Sequence, residues 1–124
     1  MDGQGRVLLT QRPAGKAMAG LWEFPGGKAA AGETPEAALV RELAEELGIA
    51  VAVADLWPLT FASHGSEDFH LLMPLYLCRA WRGDPHSREG QDFAWVEADA
   101  LADYAMPAAD TPLIAPLRAA LGRA

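Results

Sequence analysis

Three glutamates recur at helical spacing between residues 35 and 47, namely Glu42, Glu45 and Glu46. In a helix, residues i, i+3 and i+4 lie on one face, so these carboxylates are predicted to be neighbours. Their repulsion costs only about 0.2–0.5 kcal/mol per pair on an exposed helix, so a solvated acidic face is the simplest interpretation. Clustered carboxylate oxygens are also what hard divalent cations such as Mg²⁺ bind, commonly together with substrate phosphates. A metal site for phosphate chemistry is therefore the alternative prediction.

The sequence around this segment favours the metal site. A Gly26-Gly27-Lys28 loop precedes it, and Arg41 stands among the acids, where it could hold one of them in position. A bound cation would replace the repulsion between the carboxylates by attraction to the metal.

Local patterns predict the elements that must position these residues. Thr34-Pro35 is a typical helix start and Gly48 a typical stop, which predicts a helix from about Pro35 to Leu47. Apolar segments predict strands at residues 6–10, 21–24, 51–61, 69–81 and 93–99. Pro74 confines the fourth strand to a sheet edge or a bulge. A second helix is predicted to start at Asp110-Thr111-Pro112, so the chain is expected to form one α/β domain over residues 1–124.

Composition narrows the possible partners and compartments. The chain has 10 basic and 17 acidic residues and a net charge of −7, which argues against a nucleic-acid polymer as partner. No apolar run approaches the roughly 18 residues of a membrane span, and the start has no pattern that directs export. Cys78 is the only cysteine, so we expect a buried, inert thiol and a cytoplasmic protein. Three histidines lack metal-site spacing and are predicted to be solvated or structural: His64, His70 and His86.

The segment from Gly27 to Ile49 resembles the Nudix box, G-x5-E-x7-R-E-U-x-E-E-x-G-U, in which U is an apolar residue. Gly27, Glu33 and the run from Arg41 to Ile49 fill every specified position. The flanking stretches LLTQRPAGKAMAGLWEFPGGK, WRGDP, REGQ and PAADTPLI are similar to the MutT-type branch of this family, whose members hydrolyse oxidised purine nucleoside triphosphates. The resemblance thus extends over nearly the whole chain.

The resemblance implies a fold and a reaction. The expected fold is an α/β/α sandwich with a mixed β-sheet, and the expected reaction is a Mg²⁺-dependent attack of water on phosphorus, with Mn²⁺ as an alternative ion. In the MutT-type branch a triphosphate then yields a monophosphate and pyrophosphate. Family members normally begin with a strand before the turn that leads into residues 6–10. Because Met1 already lies in that turn, we expect the first strand to be missing here and the native product to start further upstream.

The resemblance also implies roles for individual acids. The metal ligands carried over from the family are Glu42, Glu45, Glu46 and the backbone carbonyl of Gly26. Glu89, in the REGQ segment, is expected to be a further ligand, the general base or an ordinary solvated loop acid. Glu33 and Arg41 are expected to orient the ligands rather than to bind the metal themselves.

Four residues are predicted to bind the nucleotide: Arg12, Phe24, Lys28 and Asp110. Lys28 could reach phosphate oxygens, Arg12 the phosphate or the purine, and Phe24 the face of the base, although the two cations could be ordinary surface residues and Phe24 part of the core. Asp110 stands where the branch has a purine-reading asparagine. An ionised aspartate only accepts hydrogen bonds, so a preference for 8-oxo-purines is open, and Asp110 could instead cap the last helix.

The leading prediction is Mg²⁺-dependent hydrolysis of free nucleoside triphosphates, with removal of 8-oxo-dGTP as its possible purpose. One alternative keeps the chemistry and acts on other deoxynucleotides or on pyrimidine nucleotides. A further alternative is a Nudix module that binds nucleotides without turnover, which the intact set of Glu42, Glu45 and Glu46 disfavours. A monomer and a homodimer both remain open.

Overall fold

The computed structural model describes residues 1–15, 17–65 and 67–122. Its regular elements follow in chain order as β1 (Val7–Gln11), β2 (Trp22–Glu23), α1 (Pro35–Leu47), β3 (Leu56–Gly65), β4 (His70–Cys78), β5 (Phe93–Val96) and α2 (Ile114–Ala120). Single 3-10 segments lie at residues 53–55, 98–103 and 111–113. The predicted α/β class is confirmed.

The strands pair in two antiparallel sheets. β1 is the centre of one sheet, in the order β2-β1-β5, and β3 pairs with β4 in the other. This differs from the single mixed sheet that was expected. In the described part of the chain, β1 pairs with β2 and β5, and β4 pairs with β3. Residues 71–78 of β4 and Val7 and Leu8 of β1 line the same cavity. Residues 1–6 form a turn, in which the Met1 ammonium donates to the Cys78 carbonyl oxygen at 2.8 Å.

Helix α1 has the predicted bounds because its sequence supplies both ends. The Thr34 hydroxyl accepts a hydrogen bond from the backbone N–H of Ala37 at 3.1 Å, and Pro35 fills the first turn. Gly48 ends the helix in the left-handed conformation, at φ 69°. Such a hydroxyl cap typically stabilises a helix by about 1 kcal/mol. The apolar face of the helix is buried at Leu43 and fully so at Leu47.

A helix covers each side of β1. Successive side chains of a strand point to opposite faces, so Leu8 packs in the cluster formed by α1, whereas Val7 and Leu9 pack in the cluster that contains Leu117 of α2. The α1 side is completed by buried residues that follow the helix: Ile49, Val51 and Leu56. This arrangement is the α/β/α layering that the resemblance implies.

Several predicted boundaries were displaced. The strand predicted at residues 51–61 begins at Leu56 and continues to Gly65, since residues 53–55 form a 3-10 turn. β4 lies at a sheet edge, as Pro74 indicates, but the bulge lies opposite it, between Pro58 and Thr60 of β3. The last helix begins only at Ile114, after a 3-10 turn. Cys78, the last residue of β4, is half-buried rather than buried. None of the helices in the described part of the chain has the length and apolarity needed to cross a membrane.

Candidate active site

Arg41 connects the acidic residues of α1 with the preceding loop. Its guanidinium donates to both carboxylate oxygens of Glu33, from Nε at 2.8 Å and from Nη2 at 2.9 Å. Nη1 donates to Glu42 at 2.9 Å and, less closely, to Glu45 at 3.4 Å. Nη2 also reaches the Lys28 carbonyl oxygen at 3.1 Å. One cation therefore holds three carboxylates and the phosphate-loop backbone together, which agrees with the orienting role expected of Arg41.

Glu33 is fixed from two sides. Besides the Arg41 fork, its Oε1 accepts the backbone N–H of Ala30 at 2.7 Å. The hydrogen bonds from Arg41, and then the one from Ala30, lower the pKa of Glu33 to about 2. Glu33 is thus ionised throughout the physiological range and acts as a constant counter-charge for Arg41.

Gly27 leaves the space that the Glu42 carboxylate occupies. A Cβ atom at position 27 would lie 2.5 Å from Cδ of Glu42 and 2.7 and 2.8 Å from its two oxygens. The glycine in the phosphate loop is therefore required by close approach. Its specified place in the Nudix box has a direct physical cause in this chain, because any larger residue would displace the Glu42 carboxylate.

Glu46 has the most perturbed environment of the helix acids. Burial, and then the negative charges of Glu42, Glu89 and Glu23, raise the pKa of its carboxyl group to about 7, against a hydrogen bond from the Gly26 backbone N–H. Such a coincidence of burial and like charge is typical of functional sites. It also brings Glu89 into the acidic group, although that residue lies far away in the sequence.

A loop docked on the end of α1 brings Glu89 there. The backbone N–H groups of His86 and Arg88 each donate to carbonyls of the last helical turn, on Leu47 and Glu46, at 3.0 Å. Gln91 binds the Glu46 carbonyl oxygen through Nε2 at 3.4 Å, and its Oε1 accepts the Glu89 backbone N–H at 3.2 Å. The loop therefore satisfies helix carbonyls that would otherwise lack partners, and it holds Glu89 beside the carboxylates.

The donor set can be tested against a divalent cation. Within the described ranges, no three His, Cys, Asp or Glu side chains already converge as a metal cage. Glu42 and Glu45 turn to Arg41, and the Glu45 side chain is 54% exposed. The chemistry nevertheless fits, since the residues offer carboxylate oxygens, which Mg²⁺ prefers. A cation would also offset the repulsion between the Glu46 carboxylate and its acidic neighbours. The backbone N–H of Gly26 donates to the Glu46 carboxylate, which places the Gly26 peptide beside the acidic group.

The four predicted nucleotide-binding residues all line one cavity of about 530 Å³. Arg12, Lys28 and Phe24 lie at its wall together with Gly26 and Gly27. Phe24 also packs against the cluster around Leu9, so it belongs to the core and to the cavity wall at once. A space of this size and a largely apolar lining suit a small ligand with an aromatic base.

Asp110 is buried in this cavity wall rather than capping a helix. Its side chain makes no cap hydrogen bond, and its Oδ2 lies 3.4 Å from the backbone nitrogen of Phe24, which donates to it. Burial is the main cause that raises the pKa of Asp110 to about 6, with a smaller contribution from the charge of Glu23 and opposition from the Phe24 N–H and Arg12. The capping alternative is therefore wrong for Asp110, and its acid group faces the cavity.

Two groups of residues escaped the sequence interpretation. Glu23 forms an ion pair with Arg12, from Oε2 to Nη1 at 2.9 Å, and could have been noticed only as one more acid in LWEF. His86, Arg88 and Gln91 dock the loop that carries Glu89, and no pattern signals a contact across more than 40 residues. The ring of His86 packs so closely against Gly48 that a Cβ atom there would overlap it, so this histidine is structural, as predicted.

Comparison with known proteins identifies the family. The NUDIX domain model matches residues 1–116. An 8-oxo-dGTP diphosphatase of Haemophilus influenzae is 44% identical over 110 residues, which are 89% of this chain and 79% of that protein. A CTP pyrophosphohydrolase of Escherichia coli is 38% identical over 119 residues, which are 92% of this chain and 83% of that protein. The fold matches a solved MutT structure, from work on Aliivibrio salmonicida and Vibrio cholerae, with a TM-score of 0.81 and 38% identity, covering 97% of this chain and 91% of that one.

The chain therefore belongs to the NUDIX domain family. Within that family it is a hydrolase of the MutT type, as the Nudix box and the flanking segments predicted.

Proposed function

We propose that this protein hydrolyses free nucleoside triphosphates to a monophosphate and pyrophosphate, with Mg²⁺ as its metal and the cytoplasm as its compartment. The observation that carries the proposal is the acidic group of Glu46, Glu42 and Glu89, which adjoins the Gly26-Gly27 loop that lines the cavity; burial, and then the charges of Glu42 and Glu89, raise the pKa of Glu46. An acidic group alone would repel a triphosphate. Together with a divalent cation, which MutT-type Nudix hydrolases generally use, it attracts one.

The helix acids and the loop acid have separate roles in this proposal. Glu42, Glu45 and Glu46 hold the cation, and Glu89 approaches from the loop to bind it or to accept a proton from the attacking water. When bound, Mg²⁺ supplies neutralisation of phosphate charge and a lowered pKa for water. Arg41 keeps Glu42 and Glu45 in place, since it donates to both.

The cavity residues bind the rest of the substrate. Lys28 and Arg12 provide positive charge for the phosphates, and Phe24 provides an apolar aromatic face for the base. Asp110 contacts the base edge, where its protonation state decides whether it donates or only accepts. The position of these residues on one cavity wall and their chemistry support these roles.

The base preference has two candidates. The relatives named 8-oxo-dGTP diphosphatase favour an oxidised purine. The CTP pyrophosphohydrolase relative, and an aspartate where the branch has a purine-reading asparagine, favour a pyrimidine. We propose the oxidised purine as the first candidate, and the cytosine nucleotide as the second because an ionised Asp110 can accept from an exocyclic amine.

Pyrophosphate release from 8-oxo-dGTP, dGTP and dCTP tests this proposal at roughly millimolar Mg²⁺, the order that weakly held, phosphate-shared sites require. Glu45→Gln removes one proposed ligand charge and keeps the side-chain shape. Partners of metal ligands alone are worth about 10- to 100-fold in activity, so this variant is expected to lose about 100-fold or more. The matched control is Glu36→Gln on the same helix, whose wild-type carboxylate binds the Tyr76 hydroxyl at 2.6 Å instead.

The wild type and Glu36→Gln are expected to turn over similarly, with Glu45→Gln far below both. Equal and negligible rates in all three proteins, with nucleotide binding retained, would instead identify a binding module.

A further inference from the structure

Glu23 is a partly buried ion-pair partner of Arg12, and neither metal binding nor recognition of the nucleotide base has been assigned to it. It lies on β2, opposite Thr10 of β1, and its Oε2 accepts from Arg12 Nη1 at 2.9 Å. Arg12 Nε donates to the Ala17 carbonyl oxygen at 2.8 Å. The two side chains are only 31% and 25% exposed, so the guanidinium is held at both ends at the cavity wall.

Glu23 also lies within electrostatic range of both ends of the site. Burial is the main cause that raises the pKa of Asp110, at the base end of the cavity, and of Glu46, in the acidic group, and the negative charge of Glu23 adds to each. Without compensation, a carboxylate at this point would repel the anionic substrate of the proposed function. The guanidinium of Arg12 offsets that charge.

The pair leaves Arg12 able to bind more. A guanidinium has five N–H donors in a rigid fork, and the contacts to Ala17 and Glu23 use two of them. A fork that is already oriented loses less conformational entropy on binding than a free one, which is the usual advantage of preorganisation. Both residues line the cavity, so the remaining donors are available next to the ligand.

We infer that Glu23 is a positioning residue, which holds the Arg12 guanidinium in the orientation that binds the nucleotide. The inference rests on the proposed function. The inference predicts that the effect of Glu23 depends on Arg12. While Arg12 is present, the Glu23 carboxylate aids nucleotide binding because it orients the guanidinium. When Arg12 is absent, the same carboxylate hinders binding because an unpaired negative charge then faces the phosphates.

The test is a double-mutant cycle with Arg12→Gln, Glu23→Gln and the double variant. KM and kcat are measured for the fastest nucleotide of the panel. Equilibrium binding of α,β-methylene dGTP and of its dCTP counterpart is measured by calorimetry, since the methylene bridge blocks cleavage. Coupling between contacting residues, typically 0.5–3 kcal/mol, corresponds to roughly 2- to 150-fold. We expect Glu23→Gln to raise KM and Kd about fivefold, near the low end of that range because the pair is partly exposed, with kcat within about twofold.

In the Arg12→Gln background, Glu23→Gln is expected to lower KM and Kd. The matched control is Asp99→Asn, which breaks the ion pair with Arg118, 3.1 Å long and outside the cavity, and should leave KM unchanged. An equal effect of Glu23→Gln in both backgrounds, or no effect of Arg12→Gln, would overturn the inference. If the wild type binds the analogues but hydrolyses no nucleotide, the proposed function is wrong. The role of Glu23 is then still tested, because the Kd values of the four proteins give the coupling between Glu23 and Arg12. Thermal unfolding of each variant identifies losses that come from misfolding.

Discussion

The protonation state of Asp110 is predicted to set the base preference of the enzyme. A protonated acid can donate to a purine carbonyl oxygen, much as an asparagine amide does, whereas the carboxylate can only accept, for example from the exocyclic amine of cytosine. Asp110 is 4% exposed and faces the cavity, so its protonation is sensed directly by whatever base is bound there. Lowering the pH should therefore shift the preference from dCTP towards 8-oxo-dGTP.

The size of the shift follows from the pKa. Burial raises the pKa of Asp110 to about 6. The acid form is then about 90% populated at pH 5 and about 10% at pH 7, from the definition of the pKa. As the pH falls from 7 to 5, the acid form that 8-oxo-dGTP needs rises about tenfold and the carboxylate that dCTP needs falls about tenfold. The ratio of kcat/KM for 8-oxo-dGTP over that for dCTP should accordingly rise by up to about 100-fold.

The ratio is the useful measurement because it cancels the ionisation of the metal-binding carboxylates. Both substrates use the same acidic group, so protonation of Glu46, whose pKa is also raised, lowers both rates together. Asp110→Asn supplies the matched control, since the amide always donates and accepts and does not titrate. We expect a flat ratio in this variant from pH 5 to 8, close to the low-pH value of the wild type.

The same variant has a consequence for stability, with a fixed sign. A carboxyl group whose pKa is raised in the folded state destabilises the fold above that pKa, since the folded form must ionise a buried acid. Asp110→Asn should therefore stabilise the protein at pH 7 to 8 by up to about 3 kcal/mol, a gain that disappears as the pH falls through about 6 towards 4. A wild-type ratio that does not change with pH, in a protein whose Asp110→Asn variant is more stable at pH 8, would show that the acid is buried but does not read the base.

Three further predictions concern the elements that position the site. Gly27→Ala should lower kcat/KM by about 100-fold with little change in unfolding midpoint, because the new Cβ displaces the Glu42 carboxylate. The control Gly3→Ala, whose Cβ would meet nothing within 4 Å, should have no effect. A large loss of stability in Gly27→Ala instead would contradict the steric reasoning. Gln91→Ala should loosen the loop that carries Glu89, so hydrogen exchange at residues 86–91 should quicken and kcat should fall, and unchanged exchange would refute the docking role. Leu47→Ala, at a fully buried position of α1, should lower the free energy of unfolding by about 2–5 kcal/mol in denaturant melts, well beyond the small effect expected of the exposed Val53→Ala.

The catalytic helix could be predicted almost residue by residue, because its information is local. Thr34, Pro35 and Gly48 define the ends, and the acids follow helical spacing. The strand limits were less well predicted, since Leu56 and Gly65 are set by pairing with a partner strand rather than by their neighbours in the chain. The docking of the loop around Glu89, and the pairing of Glu23 with Arg12, depend on tertiary contacts between residues 11 to 45 positions apart, which no local pattern carries.

The distribution of charge around α1 explains how so acidic a site can coexist with a stable fold. Arg41 offsets the three carboxylates to which it donates, namely Glu33, Glu42 and Glu45. Glu46 and Glu89 lie outside this network. Burial, and then the charges of Glu42 and Glu89, raise the pKa of Glu46 to about 7. Because a raised carboxyl pKa destabilises the folded state at neutral pH, Glu46 lowers the free energy of unfolding in the absence of a cation. The excess charge is thus confined to the place where a divalent cation and a phosphate chain would remove it, and the rest of the acidic helix is neutralised in advance.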